Sequence, residues 1–212
     1  MIRAFRRHKG LFCGIITSVV LLLSASIYII MPRGTAVTLS SIEFDLFSEL
    51  IQDGDIICRL GDRVWSRHFS EMSTVDKRFS HMGIVRIRDG TTTVIHTEGN
   101  TGHGINFVNE IQIEKFIEIA RAIGIYRIND IERNEISNLA LEYLGVPFDW
   151  QLDMEDAATL YCTELLYVIL KRVNPEIHLD TIFVSNIGKN VIPLEAISNS
   201  KLFTEVYFMS SR

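Results

Sequence analysis

The sequence predicts an α+β domain, a small antiparallel sheet packed on helices, standing behind one membrane-crossing helix. Three observations predict it. An uncharged apolar run fills the amino-terminal end, strand-like and helix-like stretches then follow without regular alternation, and an Asp-Gly pair joins two alternating runs into a hairpin. Irregular mixing of this kind favours α+β over a doubly wound parallel sheet.

Residues 1–10, MIRAFRRHKG, carry Arg3, Arg6, Arg7 and Lys9 with no acid. Residues 11–31, LFCGIITSVVLLLSASIYIIM, contain no charge and are long enough to cross a bilayer as a helix. Ser24-Ala25-Ser26 is a weak cleavage-like site, but the apolar run continues past it, which favours an uncleaved anchor. Because the basic cluster precedes the span, the amino terminus is expected in the cytoplasm and the remainder outside the cell membrane, in the periplasm of a two-membrane envelope. Residues 32–41 read as a linker.

The folded domain is expected over residues 42–212. IEFDLFSELI suits a short amphipathic helix, and Asp53-Gly54 turns the chain into the strand of DIICRL. Asp62 to Met72 suits a helix or an irregular lobe. SHMGIVRIR and TTTVIHTE, joined by Asp89-Gly90, read as a hairpin. After a Gly-rich turn come a short strand, a helix near 111–120 and the strand RAIGIYRI. A helix over about 131–144 ends at Gly145, with Pro147 beyond it. PFDWQLDMEDAAT is a polar loop, LYCTELLYVILKRV a helix, and KLFTEVYFM a closing strand.

Charge narrows the partners. Five of the 21 basic residues lie before Gly34, leaving 16 against 26 acidic residues, a net charge of −10. An acidic domain is a poor nucleic-acid binder. Outside the apolar run only Cys58 and Cys162 remain, with no clustered Cys/His spacing of a zinc site.

Cys162 shares a helical stripe with Leu165, Leu166, Ile169, Leu170 and Val173. Packing and chemistry both fit such a cysteine: a buried thiol is a small hydrophobe, whereas a helix amino terminus favours thiolate and a histidine base would complete a nucleophile. On the first hairpin strand His81, Gly83, Val85 and Ile87 share a face, expected inward because Arg86 and Arg88 take the other. On the second, Val94, His96 and Glu98 share a face. A two-residue turn sets Gly83 by His96 and His81 by Glu98; a longer turn would slide that register. Cys58 is expected to face the core, away from Cys162.

The ordered stretches GDIICRLG, FSHMGIVRIRDG, VIHTEGNTGHGI, GVPFDW and LYCTELLY resemble the circularly permuted papain-fold hydrolases of the NlpC superfamily, the YiiX/YebB-like group. The resemblance runs from about Gln52 to the carboxyl end; SHMGIV and YCTELL are its most specific pieces. It implies Cys162 as nucleophile, His81 as base and His96 as the orienting residue. The family often has Glu where His96 stands, so Glu98 is the reserve. Tyr161 resembles the family's aromatic beside the nucleophile and would line the oxyanion site or pack, and Asp149 fits a loop ordered against the site. The implied enzyme is a membrane-anchored cysteine hydrolase cleaving an amide, ester or thioester in a peptidoglycan peptide or a lipid, without metal or organic cofactor. A lipid acyltransferase and an inactive binding module of the same fold remain alternatives.

Overall fold

β-Branched runs bounded by positive-φ turns account for the sheet. Asp53-Gly54, with Gly54 at φ 78°, delivers the chain into β1 (Ile56–Gly61). Asp89 and Gly90, both at positive φ, form the primed two-residue turn between β2 (His81–Arg88) and β3 (Thr91–His96). The computed structural model describes residues 41–62, 64–99 and 106–211, within one compact unit, Gly34–Arg212. The expected anchor at 11–31 and the linker before Ser41 lie outside the described residues. Among the described residues no helix is long and apolar enough to cross a membrane.

Six antiparallel strands form one sheet in the order β4-β3-β2-β1-β5-β8, with β4 at Asn109–Gln112, β5 at Ala120–Ile128 and β8 at Phe203–Ser210. A separate hairpin pairs β6 (Ile182–Val184) with β7 (Lys189–Val191). The helices are α1 (Ser41–Leu50), α2 (Val64–Met72), α3 (Ile113–Ile117), α4 (Arg133–Leu141), α5 (Cys162–Val173) and α6 (Glu195–Ser198).

Both faces of the sheet are covered. On one side Ile56, Cys58, Met82, Ile84, Ile95 and Tyr126 meet α4 and α5 through Ile136, Ala140, Leu165, Leu166, Ile169 and Leu170. On the other, Ile57, Val85, Val94, Ile123 and Ile125 meet Phe47 of α1 and Phe116 of α3. The expectation of one inward face on β2 is corrected accordingly: Met82 and Ile84 are as buried as Val85, and only the turn end, from Arg86 onward, opens to solvent. A strand central to a two-sided sheet loses the polar alternation that marks a half-buried one.

Two helix boundaries also move. The helix expected over 111–120 is β4 followed by the five-residue α3. The helix expected to reach Leu144 stops at Leu141, and Tyr143 and Leu144 continue as i to i−3 turns before Gly145 at φ 88°. The β6–β7 hairpin and α6 had no sequence assignment.

Candidate active site

The hairpin register brings the candidate residues to one end of the sheet. The two-residue turn sets Arg88 opposite Thr91, Val85 opposite Val94 and Ile84 opposite Ile95, as that turn length predicts, and β1 sets Arg59 beside His81. His81 and His96 meet on the diagonal: His81 Nε2 and His96 Nδ1 lie 2.9 Å apart in a buried hydrogen bond. Gly83 makes that diagonal possible. A Cβ there would collide with Val94 Cγ1 and stand 3.1 Å from both His96 Cβ and the Ile95 carbonyl oxygen. Gly83→Ala is therefore expected to lower stability by about 1–3 kcal/mol through overpacking and to displace His96. Thermal unfolding checks it, and an unchanged midpoint would remove the close-approach role of this glycine.

One aromatic ring organises the pair. Phe116 of α3 stacks on His81 at 5.5 Å between centroids and meets His96 edge-on at 5.4 Å, while the Arg59 guanidinium lies over its ring at 4.5 Å. Arg59, 2% exposed, donates to the Phe116 carbonyl oxygen and to Glu98 Oε2 at 2.7 Å. Glu98 thus binds Arg59, not His81. The register placed Glu98 opposite His81, but β3 ends at His96, and the carboxylate finds the nearer cation on β1. Arg59 and Phe116 escaped the sequence analysis. The available signal was Arg59 itself, a charge phased with Ile57 on an inward strand face.

Burial holds both imidazoles neutral. Desolvation lowers the His81 pKa well below 6.5 and the Arg59 charge adds to it; for His96, desolvation is followed by the charges of His81 and Arg59. His96 Nε2 and Asn109 Oδ1, on directly paired residues of β3 and β4, are both buried without a hydrogen-bond partner among the described residues.

Cys162 opens α5 and borders the same cleft as His81 and Glu98. Its helix starts there because Glu164, in the first turn, reaches back to accept the Tyr161 N–H. Burial in this apolar setting, together with the charges of Asp149, Asp156 and Asp153, pushes Glu164 up to about 8, against the pull of the Tyr161 amide. Burial likewise pushes the Cys162 thiol up to about 11, opposed by the backbone amides of Met82 and Thr163. Cys58 lies on the core-facing side of β1, and both thiols are free. Tyr161 borders the cleft, but its hydroxyl accepts the Ile192 N–H and so fixes the 191–194 segment. Asp149 is buried and caps the Gln151 and Asp153 amides, ordering its loop.

His81, His96 and Glu98 each offer one ligand atom within 4.8 Å of the others, a donor set that could hold a metal ion by proximity alone. Its fit to a divalent cation is poor, because the fixed, buried guanidinium of Arg59 already holds Glu98 and would repel a second cation.

Comparison with solved structures finds the fold again in the crystal structure of metalloprotein YiiX from Escherichia coli O157:H7, at 17% identity and a TM-score of 0.62, covering 75% of this chain and 98% of that one. Comparison with curated proteins finds no match. Residues 50–192 match the model of the permuted papain-like amidases, and they hold the histidine hairpin ahead of the cysteine helix. The chain therefore belongs to the permuted papain-like amidase enzymes of the YaeF/YiiX, C92 family.

Proposed function

We propose that the protein is a cysteine hydrolase that cleaves an amide, ester or thioester through an acyl-enzyme, with Cys162 as nucleophile, His81 as base and His96 as the residue that orients it. The observation that carries this reading is that His81, hydrogen-bonded at 2.9 Å to the buried His96, borders the same cleft as a cysteine at a helix start. We assign the shared proton to His81 Nε2, donating to His96 Nδ1; His81 Nδ1 is then free to act as base.

The resting pair is neutral, because burial raises the thiol and lowers the imidazole. His81 takes the thiol proton as the sulfur attacks, so the charge appears only with the transition state. The Sγ–carbon bond forms, the carbonyl's bond to its leaving group breaks, and the proton passes from His81 to that leaving group. Water then adds to the thioester, releasing a carboxylic acid and restoring the thiol. The Cys162 backbone N–H, at the first turn of α5, is free of helical partners and suits the oxyanion. No step runs through a metal: YiiX is called a metalloprotein, whereas in this chain the Arg59 guanidinium holds Glu98 Oε2 at 2.7 Å.

The apolar run at 11–31 supports a membrane anchor with the domain on the extracytoplasmic side, where envelope peptides and lipids are the available substrates. The test is acylation of the full-length chain by p-nitrophenyl acetate followed by peptide mass spectrometry. An acetyl group on Cys162 and none on Cys58 is the expected result. A folded protein that acquires no adduct would leave the inactive binding module as the better reading.

A further inference from the structure

We propose that Asn109 is a positioning residue for the hydrolase: its Oδ1 accepts the His96 Nε2–H and thereby determines which nitrogen of His81 is bare. The assignment rests on the hydrolase reading and adds a residue to it. His96 Nε2 and Asn109 Oδ1 are both buried and have no hydrogen-bond partner among the described residues. His96 is only 5% exposed, and a buried polar group left unpaired is destabilising. The two residues are directly paired on β3 and β4, so their side chains leave the same face of the sheet with Cβ atoms about 4.5–5.5 Å apart. Val94 and Ile111, the next pair along that face, pack into the cluster that holds Phe116. Val108, just before Asn109, exchanges 2.8 Å hydrogen bonds with the Gly145–Val146 turn, which holds the start of β4. A rotation about the soft terminal torsion of Asn109 is enough to bring its oxygen to the ring.

A neutral imidazole carries one proton, and the 2.9 Å contact between His81 Nε2 and His96 Nδ1 places one proton between the rings. Two arrangements satisfy that contact. With the shared proton on His81, His81 Nδ1 is bare and His96 carries its own proton on Nε2. With the shared proton on His96, His81 Nδ1 is protonated and cannot take the thiol proton, and His96 Nε2 is bare. The ring-to-ring contact is the same in both, so the group that meets His96 Nε2 decides between them. A carbonyl oxygen there stabilises only the first. Arg59 does not decide it, because its hydrogen bonds go to Glu98 and to the Phe116 carbonyl oxygen. When His81 takes the thiol proton on Nδ1, both Nε2–H groups stay where they are, and Asn109 accepts from His96 throughout.

The experiment reads the tautomers directly, by long-range nitrogen–proton NMR of the full-length chain labelled with nitrogen-15 histidine, with His81→Gln and His96→Gln variants assigning the two rings. Both rings are expected to be protonated on Nε2 and bare on Nδ1 at neutral pH. Asn109→Leu, of nearly the same size, is expected to move both protons to Nδ1. It should also slow Cys162 acylation by saturating p-nitrophenyl acetate about 10- to 100-fold, the effect of leaving one buried donor unpaired. The half-saturating concentration should not move, because Asn109 is not among the residues lining the cleft. Asn109→Asp, whose carboxylate only accepts, is expected to keep the wild-type tautomers and most of the rate. A wild-type His96 bare at Nε2 overturns the assignment whether or not the variants fold. So does a folded leucine variant with wild-type tautomers or an undiminished rate, or a folded aspartate variant as slow as the leucine one. In each of these cases acetylation of Cys162 leaves the hydrolase reading standing. If the wild-type chain gains no acetyl group on Cys162, the hydrolase reading fails and takes this one with it.

Discussion

Cys162→Ser is expected to lower turnover by about a million-fold, the scale on which removal of a nucleophile acts in a hydrolase whose groups work as a unit. The side chain is 8% exposed and lies among Met82, Leu165 and Leu166, so a hydroxyl of nearly the same shape keeps the fold. What it loses is the soft, polarisable sulfur that the proposed mechanism uses as nucleophile, with a weakened imidazole as its base. Turnover of the purified variant, set against its unfolding midpoint, separates the two effects. A variant retaining more than about one hundredth of the activity would exclude Cys162 as nucleophile.

His81→Ala is expected to cost about 100- to 10,000-fold, the range of general-base catalysis, and to cost more than His96→Ala. In the proposed mechanism the base moves the proton, whereas His96, 2.9 Å away, only orients its ring. Glu98→Ala is expected to cost least, since that carboxylate engages Arg59 instead of the imidazoles. An effect of His96→Ala exceeding that of His81→Ala would exchange their roles. The pH profile gives a second measurement. Because the His81 pKa is lowered below 6.5, its basic form persists as pH falls through 6.5, and the acid limb of the rate should lie below that value. Stability moves with it. His81 and His96 bind protons more readily in the unfolded chain, so the folded state should weaken as pH falls below about 6.5.

Much of the architecture was local and therefore readable. Asp89-Gly90 specifies a turn that only positive φ at both residues can make, and that turn determines the pairing from Arg88–Thr91 to Ile84–Ile95. The α5 stripe of Leu165, Leu166, Ile169 and Leu170 follows from helical period alone. The β6–β7 hairpin escaped because strands of three residues leave too little alternation to detect. The faces of β2 misled for the opposite reason, since burial on both sides removes the contrast that phasing relies on.

By itself the sequence determined the α+β class, a hairpin turning at Asp89-Gly90, the cysteine at a helix start and the histidines near the hairpin's open end. Each of these depends on residues within a few positions of one another, where period and turn chemistry act. The tertiary structure decided which polar residue meets His81. Glu98 stands opposite His81 by register, yet the buried Arg59 of β1 takes its carboxylate, and His96 reaches His81 across the gap left by Gly83. That choice turns on a guanidinium held by Phe116, 57 residues farther along the chain, and on desolvation that only the assembled core imposes.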